Sequence, residues 1–206
     1  MTAQTELDQT ERVILQAAED AGEPGSPRDL IVIDDTTGGL TAAALAQVAD
    51  HAEGAVWSWS ASRAGTTALA ERFEDAVTAG RLRLPTDPDP VALEEFAASA
   101  DVHLVLMRLP KALQGLDDHA RRLAALAHAT GREDLTVIAG ARVKHMTRTQ
   151  NEVLAASFTE VRASRGIGKS RALIASTPRP DAPAPAPATG IARLQVQGGE
   201  REFSLR

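Results

Sequence analysis

LTVIAGARVKHMTRTQNEVLAASFTEVRASRGIGKSRALIAS, residues 135–176, decides how this chain folds. Leu135 to Ala139 is a short apolar run containing β-branched residues, which predicts a buried strand. Thr149 to Ser157 has helical spacing. Phe158 to Ala163 and Arg171 to Ser176 predict two further strands, joined by little more than the glycine-containing turn RGIGK at residues 165–169. A connection that short makes its strands antiparallel, so this stretch ends in a hairpin at one edge of a sheet.

Upstream, strand and helix alternate. A helix is predicted from Thr5 to Ala21, a strand at Leu30 to Ile33 and an Ala-rich helix from Thr41 to Ala52. A strand at Ala55 to Trp59 and a helix from Ser62 to Thr78 follow, with a candidate short strand at Leu82 to Leu84. DPDPVALEEFAASA, residues 87–100, starts a helix with acids in its first turn, where the helix dipole favours them. Val102 to Leu109 is a strongly apolar strand, and a long helix runs from Lys111 to Ala129. Strands alternating with helices of this length imply a parallel sheet with helices on both faces. The fold class is α/β: a Rossmann-like, mostly parallel seven-stranded sheet that ends in an antiparallel hairpin.

Residues 1–177 form that domain. PRPDAPAPAPATG, residues 178–190, predicts a stiff Pro/Ala linker. IARLQVQGGEREFSLR, residues 191–206, predicts a β-hairpin extension around Gly198 and Gly199. A lone hairpin is marginal in water, so it needs a surface to pack on. The sequence stops inside what reads as a following strand, so a longer protein is expected.

The chain has no cysteine, which excludes disulfides, thiolate catalysis and cysteine zinc sites. Aromatic residues are 3% with no tyrosine, so a platform for stacking single-stranded bases is poorly supported. No run approaches the ~18 apolar residues of a membrane span, and the acidic, polar start MTAQTELDQTER is not a secretory signal. A cytoplasmic protein without a membrane partner is expected.

Charge is uneven. Gly140 to Arg171 carries Arg142, Lys144, Arg148, Arg162, Arg165, Lys169 and Arg171 against Glu152 and Glu160, a formal +5. The whole chain carries −6, so the remainder carries −11. A basic island in an acidic chain is a surface for RNA or another phosphate polymer, or else a solvated face balanced by acids elsewhere. The expected fold divides it into two patches, at Arg142 to Arg148 and at the hairpin turn from Arg165 to Lys169. RGIGKS lacks P-loop spacing and lies between two strands, so it is not a P-loop.

The loop DDTTGGLT, residues 34–41, follows the first strand at the edge where open parallel sheets bind ligands. Gly38 and Gly39 would admit a nucleoside cofactor at a helix start. Against this, G-x-G-x-x-G is missing, WSWSAS after the second strand offers no acid for a ribose, and Asp34 and Asp35 repel phosphate. A structural turn and helix cap is the competing reading. His51, His103, His119, His128 and His145 show no metal-ligand spacing, and no metal is expected.

Several segments in order resemble the amino-terminal half of bacterial rRNA guanine-N2 methyltransferases, two-domain enzymes of small- or large-subunit rRNA. They are DLIVIDDTTGGLTAAALA (29–46), HLVLMRLPKALQGLDDHARRLAALA (103–127), the stretch from Leu135 to Ala175, and the terminal REFSLR (201–206). Actinobacterial-type members are the most similar. The resemblance implies a class I methyltransferase fold. It also implies an amino-terminal domain that has lost cofactor binding and catalysis, supports RNA recognition and stabilises the second domain. That second domain would begin past Arg206, bind S-adenosylmethionine and carry Asn-Pro-Pro-aromatic. Here the corresponding position is RLPK, residues 108–111. Arg108 and Lys111 have no side-chain acceptor for the amine being methylated, so that chemistry is disabled. Either Pro110 begins the next helix as a structural N1 residue, or Lys111 starts it near RNA.

The leading expectation is a non-catalytic, RNA-orienting domain with ribosomal RNA and a catalytic domain as partners. Its contacts are Lys111, Arg142, Lys144, His145, Arg148, Arg165, Lys169 and Arg171. It has no catalytic residues and no cofactor of its own; S-adenosylmethionine is implied for the intact enzyme. The alternatives are a self-sufficient methyltransferase using the 34–41 loop and a protein-interaction scaffold.

Overall fold

The computed structural model describes residues 7–21, 29–49, 54–85, 91–186, 190–196 and 199–205. The loop at 22–28, His51 with the expected end of the second helix at 50–52, the acidic turn at 87–90 and Gly198 lie outside the described residues.

The elements run α1 (Gln9–Ala21), β1 (Asp29–Ile33), α2 (Gly39–Val48), β2 (Val56–Trp59), α3 (Arg63–Arg72), α4 (Glu74–Thr78) and β3 (Leu82–Arg83). They continue α5 (Leu93–Phe96), β4 (Val102–Arg108), α6 (Leu113–Thr130), β5 (Thr136–Arg142), a 3-10 turn (Val143–His145), α7 (Arg148–Ala155), β6 (Phe158–Ala163) and β7 (Ser170–Pro178). β8 (Gly190–Val196) pairs antiparallel with β9 (Gly199–Leu205) in a separate two-stranded sheet.

The seven-stranded sheet has the order β3-β2-β1-β4-β5-β7-β6. It is parallel from β3 to β5, and β7 pairs antiparallel with both β5 and β6. The hairpin at the carboxyl end of the domain therefore closes one edge, as the short turn requires. Strand period sorts the core into two layers. Leu30, Val32, Leu104 and Leu106 face α1, α2, α3 and α4, while Ile31, Ile33, Val105 and Met107 face α5, α6 and α7. Gly140 on β5 makes one close approach possible: a Cβ there would overlap the Ile14 side chain, so α1 lies directly on the strand.

Several boundaries differ from expectation; α5 is a single turn, Leu93–Phe96. α1 starts at Gln9, four residues after Thr5, because Asp8 caps it. The helix expected over 62–78 is two helices. Phe73 leaves helical geometry at φ −117°, ψ 34°, and its ring lies against Gly38. α6 begins at Leu113 behind an extended Ala112, so neither Pro110 nor Lys111 starts the helix. β7 runs to Pro178. Beyond it the Arg179 N–H donates to the Ser157 carbonyl (2.9 Å), and the Arg179 carbonyl meets His128 Nε2 (2.8 Å).

Candidate functional site

Open parallel sheets bind ligands beyond the carboxyl ends of their strands. Here that edge is formed by the loops after β1, β2, β4 and β5 together with the β6–β7 turn. Its centre, at β1 and β4, is filled by the protein's own carboxylates.

The segment Asp-Gln-Thr-Glu at 8–11 begins α1 as a capping pair. Asp8 Oδ1 accepts from the N–H groups of Thr10 (2.8 Å) and Glu11 (2.9 Å), and Glu11 Oε2 accepts from the Asp8 N–H (2.7 Å). The cap fixes the Glu11 side chain, only 2% exposed, over the β1 loop. There its Oε1 accepts the Thr37 hydroxyl and the Arg108 guanidinium (2.9 Å). A Cβ on Gly39 would stand 2.7 Å from Glu11 Oε1, so glycine is what lets the carboxylate reach the loop backbone.

The second internal anion is Asp35, which is 2% exposed. Its carboxylate accepts from the N–H of Gly38 (3.0 Å) and the N–H of Thr41 (2.8 Å), and lies 2.9 Å from the Thr37 hydroxyl, whose single proton it shares with Glu11. These are first-turn amides of α2, the donors that a helix start offers to an anionic ligand. From the other side Arg72 of α3 donates to the Thr37 carbonyl. The loop thus has the geometry of a helix cap, and its backbone donors are spent internally.

Arg108, at the end of β4, turns toward α1 and pairs with Asp8 (2.7 Å) and Glu11 (2.9 Å). Burial pushes the Asp8 carboxyl up, but the Glu11 backbone N–H and Arg108 outweigh it, leaving Asp8 below its ordinary value. A guanidinium has no lone pair to receive a proton or orient an amine, so this position offers a donor already committed to carboxylates.

At the β1–β2 crevice Asp34 stands at φ 51°, in the left-handed region. Its Oδ1 accepts from the Ser60 hydroxyl (3.0 Å) and the Ala61 N–H (3.1 Å), and its Oδ2 faces His119 Nε2 at 3.5 Å. The His119 contact, with those two donors, holds the Asp34 carboxyl below its ordinary value against the opposing effect of burial. His119 and His128 are thereby placed in structural contacts. Among the described residues no group of three or more His, Asp or Glu side chains could hold a metal ion.

The β5–β7 end of the edge is different. Arg142, Lys144, His145, Arg148, Arg165, Lys169 and Arg171 are all exposed. The ladder sets Ala141 opposite Arg171 and Arg142 opposite Ser170, and the Val143 N–H donates to the Lys169 carbonyl (2.8 Å). The two expected patches are therefore one continuous rim. It is held from both sides. Gln150, 5% exposed on α7, accepts the Thr147 N–H (2.8 Å) and donates to the His145 carbonyl (3.3 Å), fixing the 3-10 turn. On α1, Gln9 accepts the Lys169 N–H (3.0 Å), and Thr10 Oγ1 meets Ser170 Oγ (3.2 Å). Arg148 pairs with Glu152 at 3.7 Å, both well exposed, which leaves its charge largely available. Lys111 is exposed after β4, on the same edge.

The profile of the RLMG N-terminal domain matches residues 6–180 of this chain. The chain belongs to the RLMG N-terminal domain family. Two curated proteins named ribosomal RNA large subunit methyltransferase G, from Pseudomonas fluorescens and Stutzerimonas stutzeri, are each 30% identical to it. The matches run over 173 and 179 residues, 84% and 87% of this chain. The chain spans 42% and 43% of the length of those relatives. Among solved structures, the T. thermophilus 16S rRNA N2 methyltransferase (RsmC) in complex with AdoMet and guanosine superposes with TM-score 0.53 at 16% identity. That match covers 97% of this chain and 47% of the other. The human methyltransferase 10 domain containing protein gives TM-score 0.55 at 11% identity, covering 82% of each chain. These matches, with the strand order, make this RLMG N-terminal domain a class I methyltransferase fold.

Asp8, Gln9, Glu11 and Gln150 organise the edge of this domain, and none was singled out in the sequence. The spacing Asp-x-x-Glu at 8–11 and Thr-x-x-Gln at 147–150 was the available signal, since both place a capping pair at a helix start.

Proposed function

We propose that this chain is the amino-terminal, non-catalytic half of an S-adenosylmethionine-dependent rRNA guanine-N2 methyltransferase. It holds RNA along the rim from Arg142 to Arg171, with Lys111 beside it, and supports a catalytic domain. The observation that carries this reading is the contrast along one sheet edge. Asp35, Glu11 and Asp8 occupy the donors and the cation at the β1–β4 centre, while the basic rim at β5–β7 stays exposed and is fixed by two buttressing glutamines. The Gly38, Gly39 and Thr41 amides already have internal acceptors, and Arg108 offers a reacting amine no acceptor where the family's motif would. The rRNA methyltransferases among the relatives support RNA as the partner and S-adenosylmethionine as the intact enzyme's cofactor. On this reading the hairpin of β8 and β9 leads toward the catalytic domain.

Two titrations of this chain test the proposal: calorimetry with S-adenosylmethionine, and binding of an rRNA fragment at low salt. The expected result is no heat with the cofactor and micromolar or tighter RNA binding. Micromolar cofactor binding would move the reading to a self-sufficient methyltransferase, and absence of RNA binding at low salt would end it.

A further inference from the structure

The carboxyl edge has a third feature, a cleft of about 690 Å³ at the ends of β2 and β3. Trp57, Trp59 and Phe96 supply its aromatic side, with the Trp57 and Phe96 ring centroids 5.3 Å apart in an edge contact. Trp59 is held in place: its indole N–H donates to the Val91 carbonyl (3.0 Å), and its ring meets His119 edge-on at 5.8 Å. Thr66, Thr67 and Ala70 of α3 also line the cleft. Arg63 and Arg83 border it, with the Arg83 guanidinium stacked 5.3 Å from the Trp57 ring centroid. Among the described residues no carboxylate lines this cleft, although the chain carries a net charge of −6. The buried Trp57 indole N–H has no acceptor among the described residues.

We propose that this cleft seats one unpaired nucleotide of the RNA that the basic rim holds. The proposal rests on the RNA reading above and specifies the form of RNA bound. The volume lies in the range of small-molecule sites, and an aromatic wall with a few polar groups is the composition such sites have. An unpaired base can leave its stack and lie against an indole, whereas a base inside a duplex presents no face. The Trp59 ring is already fixed by its hydrogen bond and its histidine contact, so little side-chain freedom is lost on stacking. Arg83 supplies positive charge for the phosphate beside that base. Four strand spacings separate β2 from β7, on the order of 20 Å, which a short single strand can bridge from rim to cleft. The low aromatic content of the chain is thus concentrated: both of its tryptophans line this one cleft.

That concentration provides the test, because intrinsic tryptophan emission reports on the cleft. The full chain is titrated at low salt with a single-stranded RNA oligomer, a duplex of equal length and S-adenosylmethionine, with labelled-RNA anisotropy reading total binding. The single strand should quench the emission, while the duplex binds without quenching and the cofactor does neither. Thr67→Glu, an exposed position on the cleft, should abolish the quench and weaken single-strand affinity about tenfold. It should leave duplex affinity unchanged. Salt-sensitive RNA binding with unchanged emission, or Thr67→Glu without effect, overturns the cleft assignment and leaves the RNA reading standing. Quenching by S-adenosylmethionine would assign the cleft to a cofactor and likewise overturn it. Absence of any RNA binding overturns both readings.

Discussion

The centre of the carboxyl edge, at β1 and β4, and its β5–β7 end are built on neighbouring strands of one sheet. At the centre every strong charge has an internal partner: Asp35 on the α2 amides, Glu11 on Thr37 and Arg108, Asp8 on Arg108. At the other end the cations stand in solvent, with a long, exposed pair between Arg148 and Glu152 as the one ion pair described there. On the proposed reading, the contrast shows how a ligand-binding edge can be silenced while the fold is kept. Filling a site with partnered carboxylates preserves packing and hydrogen bonding among the described residues. Charges left without partners cost little when solvated and become useful only when a polyanion arrives.

Substitutions that separate the two regions should differ in kind. The largest effect is expected from Glu11→Ala. It removes the buried one of the two carboxylates on Arg108, leaves the Asp8 N–H without its acceptor and leaves the Thr37 hydroxyl to Asp35 alone. We expect a loss of about 3 kcal/mol, read as a shift of the urea midpoint at constant slope. Lys144→Ala on the rim should stay within about 0.5 kcal/mol. Equal losses at the two positions would erase the distinction. A smaller effect sharpens it: in a double-mutant cycle of Glu11→Ala with Arg108→Ala, the coupling should be about 1–2 kcal/mol, since the two residues share one network. A coupling near zero would mean that the guanidinium is not committed to the plug.

The smallest effect concerns pH. The His119 contact, followed by the Ala61 N–H and Ser60 hydroxyl, sets Asp34 below its ordinary 3.8. A depressed folded value stabilises the protein above the unfolded value and loses that contribution as pH falls through the folded one. Asp34→Asn, which tolerates the left-handed backbone, should therefore weaken the protein slightly at neutral pH and flatten the acid limb below 3.8. An unchanged acid limb would show that the contact with His119 carries no linkage.

The strands were legible because β1, β4 and β5 are apolar runs, β-branched in β1 and at the start of β5, and because the short turn at 165–169 forces the hairpin. The parallel pairing followed from the alternation of strand and helix, whereas the order β3-β2-β1-β4-β5-β7-β6 is set by the fold. The break at Phe73 was not legible: the local sequence continues the helical pattern, and the tertiary contact with Gly38 appears only once α2 is in place. The basic rim could be seen as charge, and its splitting into two patches was corrected by the β5–β7 register. The plug was hidden for a different reason. Glu11 and Asp8 look like ordinary first-turn acids, and only the placement of α1 across β4, β5 and β7 brings them onto Arg108. Trp57 and Trp59 were counted among too few aromatics to matter, whereas the fold sets them beside Phe96 at one cleft.

If RNA binds through the exposed cations of this edge, the salt dependence of its affinity reports on them. Affinity of the full chain for an rRNA fragment is measured across a range of salt, for the parent and for a variant with Arg142, Lys144, Arg165 and Lys169 changed to Ala. A steep linear fall of log affinity with log salt is expected in the parent. In the variant the slope should be shallower by about 3, close to one unit for each phosphate contact removed. Equal slopes for the two proteins would contradict binding through these cations.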